Sequence, residues 1–142
     1  MLTGIAHLAL TVKDMDRAKD FYCRALGLKE VFEFNKPDTG EPWIVYLHLD
    51  KSQFVELFYN GKTDNPWNSS YRGFNHICFE VDDIHKSADQ IKKAGYKIDQ
   101  EPKVGIDKNW QAWVTDPDGV RVELMQISPE SPHAKVAAGL PL

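Results

Sequence analysis

Two histidines and two glutamates recur at matched positions along this 142-residue chain. His7 stands in Gly4-Ile5-Ala6-His7-Leu8-Ala9-Leu10-Thr11-Val12, and His76 stands 69 residues on in Gly73-Phe74-Asn75-His76-Ile77-Cys78-Phe79-Glu80-Val81. Glu56 lies in Val55-Glu56-Leu57, and Glu123 lies 67 residues on in Val122-Glu123-Leu124. Two imidazoles and two carboxylates suit a divalent transition ion, with positions left for water or substrate. A single His or Glu on the open side of a strand is ordinarily a solvated surface residue. The same His–Glu pair written twice is what points to metal chemistry.

The elements around these residues also repeat. Leu8, Leu10 and Val12 alternate with His7, Ala9 and Thr11, and Ile77, Phe79 and Val81 alternate with His76, Cys78 and Glu80, so each histidine is read on the polar face of a strand (4–13 and 74–82). After each strand an Asp opens a helical run. Asp14 and Asp83 are the expected N-caps, over helices at 15–26 and 84–94. Met15, Ala18, Phe21, Tyr22 and Leu26 keep helical spacing in the first, and Ile84, Ala88, Ile91 and Ala94 in the second. Gly27 and Gly95 end them as left-handed caps. Further strands are expected at Lys29–Phe34, Trp43–Leu49, Gln53–Tyr59, Tyr96–Gln100, Trp110–Thr115 and Gly119–Ile127, with a loop over Glu101–Asn109 and a hairpin turn at Asp116-Pro117-Asp118-Gly119. Val55 and Leu57 point away from Glu56, and Val122 and Leu124 from Glu123, so all four polar groups lie on faces opposite the helices.

The fold class is therefore α+β: one domain over 1–142, made of two βαβββ modules at 3–60 and 73–127. A linker at 61–72 joins them, and a Pro- and Ala-containing tail follows at 128–142. A net charge of −4 gives no basic footprint, which excludes nucleic acid as the expected partner. No apolar stretch is long enough to span a bilayer, no signal-peptide pattern opens the chain, and two cysteines make no disulfide framework. Cys23 and Cys78 read as reduced thiols of a cytoplasmic protein.

These motifs carry a family resemblance over about residues 3–127. They are His7 with Leu-Ala-Leu-Thr-Val, Phe21-Tyr22 with Leu26-Gly27-Leu28, Val55-Glu56-Leu57, Arg72-Gly73-Phe74-Asn75-His76-Ile77, and Asp116-Pro117-Asp118-Gly119-Val120-Arg121-Val122-Glu123-Leu124. The chain resembles the vicinal oxygen chelate superfamily, and within it glyoxalase I. The resemblance implies paired modules forming a curved mixed-sheet cup around one metal, with His7, Glu56, His76 and Glu123 as ligands. His at the first ligand position resembles the bacterial type, which prefers nickel or cobalt to zinc. It also implies isomerisation of the hemithioacetal of a 2-oxoaldehyde and a thiol to a 2-hydroxyacyl thioester through an enediolate. Glu123 is then the base, with Glu56 as ligand and catalytic partner. Asn60 and Arg72 match positions that hold the thiol moiety, and Lys108 falls in a loop that commonly supplies lysines. Thr11 departs from the pattern, which often has Arg there. A homodimer is expected, since small modules of this kind expose sheet edges.

Rival readings are another metalloenzyme of the fold, such as an epimerase or isomerase of an acyl thioester, and a drug-binding protein of the fold that has lost its ligands. The four retained donors argue against the second, and Glu56 as a fourth ligand argues against three-ligand thiol transferases and ring-opening oxygenases. Trp43, Phe58, Trp67, Tyr71, Trp110 and Trp113 are candidate aromatic walls. His48 can line the cleft, while His85, His133 and a packed Cys78 thiol are given no role.

Overall fold

The computed structural model describes residues 1–64, 68–70 and 72–141. The chain divides into two compact units, Met1–Asn65 and Pro66–Leu142. In the first, β1 (His7–Thr11) leads into α1 (Met15–Lys19), then β2 (Lys29–Asn35), β3 (Pro42–Asp50) and β4 (Gln53–Phe58). In the second, β5 (Ile77–Glu80) leads into α2 (Ile84–Lys93), then β6 (Ile98–Val104), β7 (Trp110–Thr115) and β8 (Arg121–Gln126), and α3 (Pro132–Ala137) follows. Each unit is thus βαβββ, and each sheet is mixed: β1-β4-β3-β2 in one and β5-β8-β7-β6 in the other, with the first pair of each parallel. Among the described residues no helix is long and apolar enough to cross a membrane.

The helix starts follow from their caps. The Asp14 carboxylate accepts from the Arg17 N–H at 3.1 Å, and the Asp83 carboxylate accepts from His85 and Lys86 N–H at 3.1 and 3.0 Å. These bonds satisfy donors that the first helical turn leaves open. Gly27 and Gly95 both sit at φ 87°, the left-handed conformation that a C-terminal cap requires. The continuous helix expected at 15–26 is a correction. After Lys19 the chain widens into a π-helical segment, Asp20–Ala25, in which Leu26 N–H reaches the Phe21 carbonyl at 3.0 Å. A wider turn rotates less per residue, which lets the adjacent Phe21 and Tyr22 both reach the core at 0% exposure.

Val45, Leu47, Val55 and Leu57 form the sheet side of the first core, with Val12, Ala18, Phe21 and Tyr22 buried opposite them. In the second unit Val114, Val122 and Leu124 are buried with Ile84, Ala88 and Ile91 of α2. The odd–even alternation along β4 and β8 therefore turns one face to a core and leaves the other to Glu56 and Glu123. Strand ends moved in places. The His-bearing strands are shorter than 4–13 and 74–82, and His76 immediately precedes β5. The loop expected over Glu101–Asn109 is also corrected: β6 runs on to Val104, pairing Lys103 with Gln111 and Val104 with Trp110. Pro102 sits where the register shifts between Gln100 and Lys103 on an edge strand, so no ladder hydrogen bond needs its missing N–H.

Candidate functional site

In the first unit the parallel ladder sets Ala9 beside Glu56, and the antiparallel ladder sets Tyr46 on Glu56's other side. His7, Ala9 and Thr11 thus share a face with Phe54, Glu56 and Phe58 and with Tyr46 and His48. His7 Nδ1 lies 3.4 Å from Glu56 Oε1. The carboxylate is buried at 8% exposure rather than open to solvent, as a free face of the sheet would have left it. Aromatic rings surround it on this face. Phe32 stacks on Tyr46 with centroids 4.3 Å apart, and Phe34 and Phe54 pack edgewise or tilted against the same pair. Desolvation raises the Tyr46 phenol above its ordinary pKa, and the adjacent Glu56 charge adds to the shift.

The second unit repeats the arrangement with different neighbours. Cys78 lies beside Glu123 on one side and Trp113 on the other, in the places of Ala9 and Tyr46. His76 Nε2 is 3.0 Å from Glu123 Oε2, and Glu123 is 5% exposed. The other ring nitrogen, Nδ1, is 2.8 Å from Asn75 Oδ1. Trp113 packs edgewise on the His76 ring at 4.8 Å, and the Arg121 guanidinium lies 4.3 Å over the Trp113 ring centroid. The Cys78 thiol is pushed up to about 12, first by desolvation and then by the Glu123 carboxylate. Cys78 is exposed rather than the packed thiol expected, but it is protonated at neutral pH and so not a nucleophile.

The structure therefore brings the four donors together as two pairs, His7 with Glu56 and His76 with Glu123. Among the described residues no three His, Cys, Asp or Glu side chains group as a ready metal cage. The thiol-binding candidates are surface residues. Thr11 is exposed on the His7 face, and Arg72 is exposed shortly before β5. Asn60 (φ 72°) and Lys108 (φ 67°) both take the left-handed backbone conformation in turns, Asn60 just past β4 and Lys108 between β6 and β7. Of the aromatic wall candidates, Trp43 packs on Phe58, Trp110 on His85 and Trp113 on His76. Trp67 and Tyr71 lie outside the described residues. His48 Nε2–H donates to the Lys51 carbonyl, 3.0 Å away, and belongs to the hairpin.

The reading from residues alone named Trp113 only as an aromatic wall and missed Tyr46 and Asn75. Tyr46 and Trp113 were legible in principle, since counting back from each hairpin turn gives the residue opposite Glu56 and Glu123. Asn75 gave no signal beyond adjacency to His76. His133 has a structural role it was not given: its Nδ1 is 2.9 Å from Asn109 Nδ2, tying α3 to the β6–β7 turn.

The family model for the Glyoxalase/Bleomycin resistance protein/Dioxygenase superfamily matches residues 4–124. The chain belongs to that superfamily. It is 33% identical over 130 residues to a probable lactoylglutathione lyase of Synechocystis, covering 87% of this chain and 95% of that protein. A glyoxalase I variant from Zea mays superposes with a TM-score of 0.72 at 31% identity, over 87% of this chain and 44% of that one. An ethylmalonyl-CoA/methylmalonyl-CoA epimerase of Cereibacter sphaeroides is 28% identical over 136 residues, covering 89% of this chain and 100% of that protein.

Proposed function

We propose that the chain is a metal-dependent isomerase of the glyoxalase I type, acting on the hemithioacetal of a 2-oxoaldehyde and a thiol. The observation that carries this reading is the spacing within the two pairs. Two donors about 2.1 Å from one ion stand about 3.0 Å apart at a right angle and about 3.4 Å apart at the tetrahedral angle. Those are the separations in His76–Glu123 and His7–Glu56, 3.0 and 3.4 Å. Each pair is half a coordination sphere for a borderline cation. His7 in the first position favours nickel or cobalt over zinc.

When bound, the ion supplies a Lewis acid for the two vicinal oxygens of the substrate. Glu123, desolvated beside Cys78, takes the proton from the hemithioacetal carbon and returns it to the neighbouring carbonyl carbon. The hydroxyl proton moves to the second oxygen, so the first carbon ends as a thioester carbonyl and the second as a carbinol. Glu56, held among aromatic rings beside Tyr46, acts as ligand and partner. The Phe32–Tyr46–Phe54 face turns water away from the reacting carbons. Arg72, Asn60 and Lys108 hold the thiol's polar end, and Thr11 contributes a hydroxyl. Two reduced thiols suit a cytoplasmic setting.

The epimerase relative gives a second reading, since Thr11 removes one cation from the thiol set and the same carboxylates serve proton transfer next to a thioester carbonyl. The test is metal content of protein purified without chelator or nickel resin, followed by turnover on both substrate types. One ion per pair of units and isomerisation of the glutathione–methylglyoxal hemithioacetal support the first reading. Thr11→Arg raises its kcat/KM by about ten- to a hundredfold, the worth of one charged contact to a carboxylate. Equal metal content in the His7→Ala, His76→Ala double variant refutes both.

A further inference from the structure

The two pairs are not equivalent in what surrounds the imidazole. His76 is held on two sides, by Asn75 Oδ1 at 2.8 Å on Nδ1 and by the edge of Trp113 at 4.8 Å, itself capped by Arg121. The residue before His7 is Ala6, which has no acceptor to offer, and the position of Trp113 is occupied by Tyr46 in the first unit. We propose that Asn75 is a positioning residue that presets His76 as an Nε2 ligand, making His76–Glu123 the pair that captures the ion first. This rests on the metal reading above and extends it to residues outside the ligand set.

The physical argument is one of tautomer and orientation. A neutral imidazole has one N–H and one lone pair, and only the lone pair can coordinate. Nε2 already faces Glu123 Oε2 at 3.0 Å, so it is the nitrogen aimed at the ion. Nδ1 must then carry the proton, and an amide oxygen at 2.8 Å gives that proton a partner. Trp113 limits rotation of the ring about its own axis. The free energy spent on fixing the ring plane is thus already spent in the folded chain at His76, and the Asn75 acceptor is in place to take the Nδ1 proton once an ion takes the Nε2 lone pair. Among the described residues His7 shows neither contact, and the ion must fix it on binding.

The experiment measures zinc affinity of full-length protein by competition with a chromophoric chelator, with 15N NMR of the histidine rings in the zinc-loaded protein. Asn75→Leu weakens zinc binding by about ten- to a hundredfold, the usual effect of losing such a partner. Asn75→Asp, which keeps the acceptor, restores it to within a few-fold. In zinc-loaded wild type the His76 Nδ1–H proton exchanges slowly with water, and in Asn75→Leu it exchanges fast. Asn75 is exposed, so neither variant changes the melting temperature of the metal-free protein. Equal zinc binding by wild type and His76→Ala overturns the metal reading itself. Loss in His76→Ala together with unchanged affinity in Asn75→Leu, or coordination through Nδ1, overturns this inference alone.

Discussion

Glu123→Gln separates a residue kept for chemistry from one kept for stability. The carboxylate is 5% exposed, and after desolvation it is the next cause that raises the neighbouring Cys78 thiol. Its close polar partners among the described residues are the His76 imidazole at 3.0 Å and the Cys78 thiol. Burying a carboxylate with so little compensation costs several kcal/mol, part of which the His76 contact recovers. The glutamine amide has the same shape, keeps an acceptor oxygen and carries no charge. The metal-free variant is therefore expected to be more stable than wild type by about 1–2 kcal/mol, or about 3–8 °C in Tm. Metal should act in the opposite sense. Wild type at 100-fold excess over Kd gains about 2.7 kcal/mol, and the variant gains far less. Turnover should fall by about two to four orders of magnitude, since an amide takes no proton at neutral pH. Differential scanning calorimetry with and without zinc reads both arms. A metal-free variant less stable than wild type, with its metal-linked shift intact, would refute the reasoning and make Glu123 a structural residue.

Asn109→Ala should destabilise the protein by about 2–3 kcal/mol in urea unfolding, because it orphans the Ser128 N–H and removes the amide that joins Asp107 to His133. A loss below about 0.5 kcal/mol would show that α3 is not held through this residue. In a Cys23→Ser background, Cys78 should alkylate about a thousandfold more slowly at pH 8 than free cysteine, because a thiol at about 12 is almost wholly protonated there. The folded pKa is raised, so the rate should keep climbing tenfold per pH unit above the point where free cysteine levels off. A plateau near pH 9 would refute the shift.

How much of the site was legible depends on the range of the interaction that fixes each part. The caps at Asp14 and Asp83 and the left-handed Gly27 and Gly95 are set within a few residues, and the structure has them where the spacing put them. The Asp116 turn is equally local: its carboxylate accepts from Asp118 and Val120 N–H at 2.9 and 2.7 Å and closes the β7–β8 hairpin. The loop expected over Glu101–Asn109 is strand as far as Val104 because an edge strand tolerates Pro102, which is a property of the sheet. The π-helical turn at Asp20–Ala25 was hidden for a similar reason, since only packing makes it worthwhile to bury Phe21 and Tyr22 together.

The sequence by itself determined the duplication, the α+β class and the alternation that puts His7, Glu56, His76 and Glu123 each on a polar face. These follow from short-range periodicity, which the chain carries in its residue order. Only the tertiary structure decided that Glu56 and Glu123 are desolvated, that the pairs close to 3.4 and 3.0 Å, and that Tyr46 stands beside one carboxylate and Trp113 beside the other. It alone also gave His76 an Asn75 contact that His7 lacks. Those quantities depend on strand register, sheet twist and rotamer, which are fixed when strands distant in sequence pair and the core behind them packs.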